Sequence, residues 1–311
     1  MSRIFDALQR SGTEQSGVEY PDMVSVAAAV FEAPREQQAM DQSVPVAVEE
    51  LPEETQPVPA KYDGIPEPPR EENVVASLSF PSLEVSSAAG SPLVFLTQPE
   101  SLAAEKFRFL SVRLRQIRQN RPLKKVLVTS TIPAEGKSVV TANLASALAR
   151  RKERVLLIEG DLRRPVLADR FGLGTLAGLS EWLQSGVQTP SNIYHLNGPG
   201  FWIIPAGHPP KNALELMQSG RLSALIRQIT DAFDWIIVDS PPLLPLADTT
   251  VWNRLTDGTL LVAREGTTQK GPLQRGLEMI KKGDLLGVVL NGCSDIDHKY
   301  YYHRYPSPAS K

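Results

Sequence analysis

The stretch STIPAEGKSVVTANLASALA, residues 130–149, places a lysine and a hydroxyl directly after a glycine, where a strand-like run gives way to a helical one. In the pattern G-x-x-x-x-G-K-S/T, backbone amides at a helix N-terminus surround phosphates. The lysine adds charge for the β/γ-phosphates, and the hydroxyl is offered to Mg²⁺. Gly136, Lys137 and Ser138 supply the last three parts, whereas Thr131 stands where the first glycine usually does. The chemistry read here is ATP binding, with Pro133, Ala134, Glu135, Gly136, Lys137, Ser138 and Val139 around the phosphates. A GKS tripeptide alone says little, so the reading rests on the strand before it and the helix after it.

Two further strand ends carry carboxylates. LLIEGDLRRP at 156–165 holds Glu159 and Asp161 two residues apart. An extended chain points such residues to the same side, out of the strand's C-terminal end, where ligands of open α/β sheets collect. WIIVDSPP at 235–242 ends another strand in Asp239. Each acid alone suits a turn or a helix cap. Three of them beside a phosphate loop point to a metal site.

The elements that must position these groups are legible as alternating patterns. KVLVTS (125–130), RVLLIEG (154–160), FWIIPAG (201–207), DWIIVDS (234–240), GTLLVAREG (258–266) and GVVLNG (287–292) are short and nearly continuously apolar. Such runs suit parallel strands buried on both faces. Helical stretches at 137–151, 175–185, 212–232, 246–255 and 269–283 fall between or after them. The predicted fold class is α/β, a doubly wound and mostly parallel sheet of the P-loop NTPase kind.

Composition divides the 311-residue chain. Residues 1–100 hold 5 Lys/Arg against 17 Asp/Glu, and residues 101–311 hold 28 against 18. The first part is also rich in Pro, Glu and Ser, as in LPEETQPVPAKYDGIPEPPREE, and cannot bury enough apolar surface to repay ordering. Residues 1–92 are therefore read as disordered, with SRIFDALQR at 2–10 as a short docking helix or a frayed terminus. A nucleotide-binding domain follows at 93–296, with a flexible tail at 297–311. The single Cys293 allows no internal disulfide, and no run of about 18 apolar residues exists to span a bilayer. A cytoplasmic protein is expected, with any membrane association supplied by a partner.

Together these residues resemble the bacterial tyrosine kinases of capsule and exopolysaccharide export, a branch of the P-loop ATPases related to MinD and ParA. Members look like S/T-x-x-P-G-E-G-K-S at the first motif, so Thr131 is ordinary for them. They carry D-x-D-x-R at the second motif, matched by VLLIEGDLRRP, and D-x-P-P at the third, matched by Asp239, Pro241 and Pro242. The resemblance implies Lys137 on the phosphates, Ser138, Asp161 and Asp239 at Mg²⁺, and Glu159 in the remaining acidic position. The catalytic set is then Lys137, Glu159, Asp161 and Asp239, with Glu159 or Asp161 orienting a tyrosine hydroxyl. Two residues depart from the family, Glu159 for aspartate and Ala134 for glycine, and both bear on activity more than on binding.

The resemblance also implies that Tyr300, Tyr301, Tyr302 and Tyr305, in DHKYYYHRYPSPASK, accept phosphate from a neighbouring subunit. It implies a membrane-embedded polysaccharide chain-length (co-polymerase) adaptor and a homo-oligomer, as a ring. In EKFRFLSVRLRQIRQNRPLKK at 105–125, Glu105 and Arg108 match the family's E-x-x-R-x-x-R ring motif, but Ser111 replaces the second arginine and Arg113 is the shifted candidate. A solvated basic face competes with that reading, and no nucleic-acid partner is expected. His195, His208, His298 and His303 lack metal-ligand spacing, Cys293 reads as a buried small residue, and Asn291 reads as a turn residue or an adenine contact. The alternative function is a MinD/ParA-like switch ATPase or a nucleotide-binding scaffold. Ile132 disfavours the switch, because such ATPases usually carry a lysine there.

Overall fold

The computed structural model describes residues 80–85, 93–187, 190–245 and 247–293. Tyr300, Tyr301, Tyr302 and Tyr305, expected from the sequence to accept phosphate, the 2–10 segment, and His298 and His303 lie outside the described residues. Eight strands form one sheet in the order β1-β4-β5-β3-β6-β2-β7-β8. They are β1 (Ser82–Glu84), β2 (Lys125–Ser130), β3 (Val155–Glu159), β4 (Tyr194–Asn197), β5 (Phe201–Ile204), β6 (Trp235–Asp239), β7 (Gly258–Arg264) and β8 (Leu285–Asn291). Every neighbouring pair is parallel except the β4–β5 hairpin.

Nine helices accompany the sheet among the described residues: α1 (Val94–Thr97), α2 (Leu102–Asn120), α3 (Lys137–Ala149), α4 (Leu167–Arg170), α5 (Leu179–Ser185), α6 (Ala213–Gln218), α7 (Arg221–Thr230), α8 (Asp248–Asn253) and α9 (Lys270–Met279). The central strands read as unbroken apolar runs because alternate residues feed two different layers. Val126 and Val128 face a cluster with Leu110 and Leu114 of α2 and Leu144 and Leu148 of α3. Leu127, Ile236 and Val238 face the opposite cluster, with Leu179 and Trp182 of α5 and Leu222, Leu225 and Ile229 of α7. Both faces are thus covered, as parallel sheets require.

The structure amends the sequence reading in three places. The boundary drawn at residue 93 omits β1, which pairs with β4 through Leu83 opposite Leu196 and adds an edge strand to the sheet. The segment 212–232 is two helices, because Gly220 takes a left-handed φ of 78° between α6 and α7. The basic run in α2 is largely stitched to the domain. Arg115 pairs with Glu153, Arg118 bonds the Asp234 carbonyl at 3.2 Å, and Arg121 bonds the carbonyls of Asp257 and Gly283. Ser111, in the second-arginine position, is buried and donates to the Arg108 carbonyl, while Glu105 and Arg108 pair with each other at 2.7 Å. No described helix is long and apolar enough to cross a membrane.

Candidate functional site

The site gathers at the C-terminal ends of β2, β3 and β6, adjacent strands at the middle of the sheet. From β2 the chain turns through residues 131–136 into α3, with Ala134 at φ 66° and Gly136 at φ 90°. Glycine meets the second angle without penalty; alanine meets the first under strain. The opening amides of α3 lack intrahelical acceptors and carry the positive end of the helix dipole, a seat for phosphate.

Lys137, first residue of α3, points across that opening. Its Nζ lies 3.3 Å from Oδ2 of Asp161, 3.8 Å from Oδ1 of Asp239 and 3.5 Å from the Ser138 hydroxyl. Burial works against the ammonium charge, but Asp239 and Asp161 outweigh it and raise the lysine pKa. Lys137 is charged at neutral pH. Burial pushes the Asp239 carboxyl above its usual range, more than the Lys137 charge pulls it down. Thr141 donates to Asp239 Oδ1 at 3.4 Å, whereas the buried Oδ2 has no hydrogen-bond partner.

That orphan oxygen tests whether a divalent cation fits. A buried acceptor without a donor is costly, and a hard cation would satisfy it. Asp239, Asp161 and the Ser138 hydroxyl offer oxygens of the kind Mg²⁺ takes. Among the described residues no group of three or more His, Cys, Asp or Glu side chains forms a metal cage. Two carboxylates and a hydroxyl fit Mg²⁺, an ion held by one or two carboxylates plus nucleotide phosphates.

Glu159 does not join this set. Its Oε1 accepts from the amides of Val166 and Leu167 at 2.5 and 2.6 Å, and its Oε2 from the Ala206 amide at 3.0 Å. Burial raises its pKa, and those three amides only partly oppose the rise. The three acids do converge, Glu159 lying opposite Asp239 and adding its charge to those that act on Lys137, but Glu159 spends its oxygens on backbone amides while Asp161 and Asp239 pair with the lysine. Alternation along β3 does aim Glu159 out of the strand end, but the 160–167 turn folds back and wraps its carboxylate in amides. The longer glutamate side chain reaches all three donors.

The structure also gives contacts to residues for which the sequence had suggested no such part, and to Asn291, read there as a turn residue or an adenine contact. Gly160 donates from its amide to the Asp239 carbonyl at 2.7 Å, joining β3 to β6 at the crevice. Arg163 pairs with Asp248 at the start of α8. Asn291 sits at the end of β8 and donates from Nδ2 to the Glu135 carbonyl at 3.0 Å, and Arg264 Nη1 donates to the Ala134 carbonyl at 3.3 Å. Both brace the phosphate loop from outside. Cys293 is exposed, against the expectation that it is buried. His195 bonds Asn197 at 3.1 Å and His208 pairs with Glu181, away from the crevice. Pro133 has no N–H, so its place in the phosphate-binding set rests on shape alone.

The chain is similar to known proteins. Residues 126–295 match the CobQ/CobB/MinD/ParA nucleotide binding domain. The chain is 32% identical over 211 residues to tyrosine-protein kinase YwqD of Bacillus subtilis (strain 168), covering 67% of this chain and 89% of that protein. It is 31% identical over 201 residues to tyrosine-protein kinase ptk of Acinetobacter johnsonii, covering 65% of this chain but 27% of that much longer protein. The solved kinase domain of Escherichia coli tyrosine kinase ETK superposes with a TM-score of 0.62 at 28% identity, over 70% of this chain and 83% of that domain.

Proposed function

Since this chain belongs to the bacterial tyrosine-protein kinases and carries their nucleotide-binding domain, we propose that it transfers the ATP γ-phosphoryl to Tyr300, Tyr301, Tyr302 and Tyr305 of a neighbouring copy. The observation that carries the site assignment is Lys137 between Asp161 and Asp239, with Oδ2 of Asp239 buried and unpartnered.

In this reading Lys137 and the amides opening α3 hold the β/γ-phosphates and offset charge developing on the transferred group. Ser138 and Asp239 would hold Mg²⁺, with Asp161 completing that region and orienting the attacking tyrosine hydroxyl. Mg²⁺, when bound, neutralises phosphate charge and templates the transfer. Glu159, saturated by backbone amides, shapes the turn that carries Asp161. Phosphorylation adds about −1.5 to −2 charge per tyrosine, enough to loosen contacts made through the tail.

The activity is assigned to control of exopolysaccharide or capsule synthesis and export, at the inner face of the cell membrane. A membrane-embedded co-polymerase adaptor recruits the kinase there, and the kinase works as a homo-oligomer. The deciding experiment is phosphosite mapping after incubation with ATP and Mg²⁺, mixing a Lys137→Met chain with an active chain whose four tail tyrosines are Phe. Phosphate on the Lys137→Met tail establishes both acceptor and transfer between copies. ATP turnover with no phosphotyrosine on either chain would favour the switch ATPase.

A further inference from the structure

The phosphate loop lacks its head glycine, and the structure holds a replacement for it. Thr131 is fully buried where that glycine would stand, and its amide donates to Oε2 of Glu135 at 2.8 Å. Its hydroxyl lies 3.1 and 3.0 Å from the two oxygens of the same carboxylate. The Ile132 amide donates to Oε2 at 3.0 Å. From outside the loop, the Thr268 hydroxyl donates to Oε1 and accepts from the Arg264 amide at 2.7 Å. Glu135 is itself fully buried, so the motif glutamate points back into the protein instead of towards the nucleotide.

This arrangement divides the loop in two. The amides of Thr131 and Ile132 are consumed by Glu135, and Pro133 has none to give. The head of the loop therefore donates nothing to phosphate, and the cradle begins at Ala134. Ala134 and Gly136, both left-handed, flank Glu135 and turn the following amides towards the site. A carboxylate fixed by three donor residues pins the pivot of that turn. The extra bulk of threonine is also accommodated, because a Cβ on Gly276 of α9 would lie 2.4 Å from the Thr131 Cγ2 methyl.

We infer that Glu135 is a positioning residue: its buried carboxylate clasps Thr131, Ile132 and Thr268 so that the amides from Ala134 onward are set for phosphate without a head glycine. The clasp also ties the loop to the β7–α9 connection, through which any shift at residues 264–268 reaches the cradle. This rests on nucleotide binding by the loop and not on the identity of the phosphate acceptor.

The test measures ADP affinity in Mg²⁺ buffer together with thermal stability of the full chain for Glu135→Gln, Thr268→Val, Thr131→Val and Thr131→Ser. Glutamine presents an NH₂ to groups that are themselves donors, so Glu135→Gln is expected to weaken ADP binding by tenfold or more, in keeping with the worth of hydrogen bonds to a charged group of roughly 10- to 100-fold. Thr131→Val and Thr268→Val, each removing one hydroxyl, are expected to weaken it several-fold, and Thr131→Ser to recover most of the Thr131→Val loss. Unchanged ADP affinity in Glu135→Gln with only a lower Tm would overturn the inference. If Glu135→Gln fails to fold, unchanged affinity in both valine variants overturns it equally. A chain that binds ADP as expected but never phosphorylates tyrosine leaves the clasp standing and removes the kinase reading alone.

Discussion

Arg163 grips Asp248 as a fork, Nε to Oδ2 at 2.7 Å and Nη2 to Oδ1 at 3.2 Å. Arg163 is partly exposed, whereas the Asp248 side chain is 2% exposed. The pair fastens the turn carrying Asp161 to the start of α8. Asp248→Asn keeps the shape and discards the charge, and should cost about 1–3 kcal/mol of stability. Because the loosened turn carries Asp161, kcat for phosphoryl transfer should fall by about tenfold with little change in KM for ATP. Equal losses in kcat and in ATP affinity would place the pair in binding instead.

Ala134 occupies a left-handed φ of 66° that the family usually gives to glycine. Alanine at such an angle is destabilising, and glycine removes the strain at a smaller entropic cost. Ala134→Gly should therefore raise unfolding free energy by about 0.5–1 kcal/mol, read from urea unfolding. A loss of stability would mean that the Cβ packs usefully where only strain is expected.

Much of this architecture was legible in the sequence because the relevant signals are local. The six apolar runs became β2, β3, β5, β6, β7 and β8: β2 matches its run end to end, β8 starts two residues earlier than its run, and elsewhere the ends shift by up to three residues. Lys137 and Ser138 fell at the start of α3, as the motif demands. What escaped depends on contacts far apart in the chain. Strand β1 is three residues long and becomes a strand only by pairing with β4, more than a hundred residues later. Glu159 has the right alternation for the crevice, yet amides from Val166 and Ala206 claim it. The Thr268–Glu135 bond spans 133 residues, and nothing near either residue announces it.

Gly160 stands between Glu159, the last residue of β3, and Asp161 of the following turn for a steric reason. A Cβ there would fall 2.7 Å from Cε2 and Nε1 of Trp252, a fully buried ring whose Nε1 donates to the Gly160 carbonyl at 3.2 Å. The indole has no room to swing aside. Gly160→Ala should cost about 2–3 kcal/mol through overpacking and displace Asp161 next to it. Gly271→Ala is the control, since a Cβ there meets nothing within 4 Å and lies in α9. It should leave stability unchanged or raise it by up to about 1 kcal/mol through helix propensity. Equal effects at the two positions would rule out the Trp252 contact as the cause.

Glu181 supplies a pH-dependent contribution away from the crevice. Its Oε2 accepts from the Gly178 amide at 2.7 Å, and its Oε1 accepts from the His208 amide at 2.9 Å and lies 2.8 Å from His208 Nδ1. Burial favours the neutral acid, but the Gly178 and His208 donors prevail and hold the pKa at about 2, below the ordinary 4.5. A carboxyl whose folded pKa is depressed stabilises the fold above its unfolded value, and that contribution drains away as pH falls towards the folded one. The window is therefore pH 4.5 down to 2. The side chain is 32% exposed, so water screens the interaction and its worth is about 1 kcal/mol. Glu181→Gln should lose that amount at pH 7, and the gap between variant and parent should narrow between pH 4.5 and 3 in urea titrations. A gap of constant size at pH 6 and pH 3 would show that Glu181 acts through shape and packing, with its charge making no contribution.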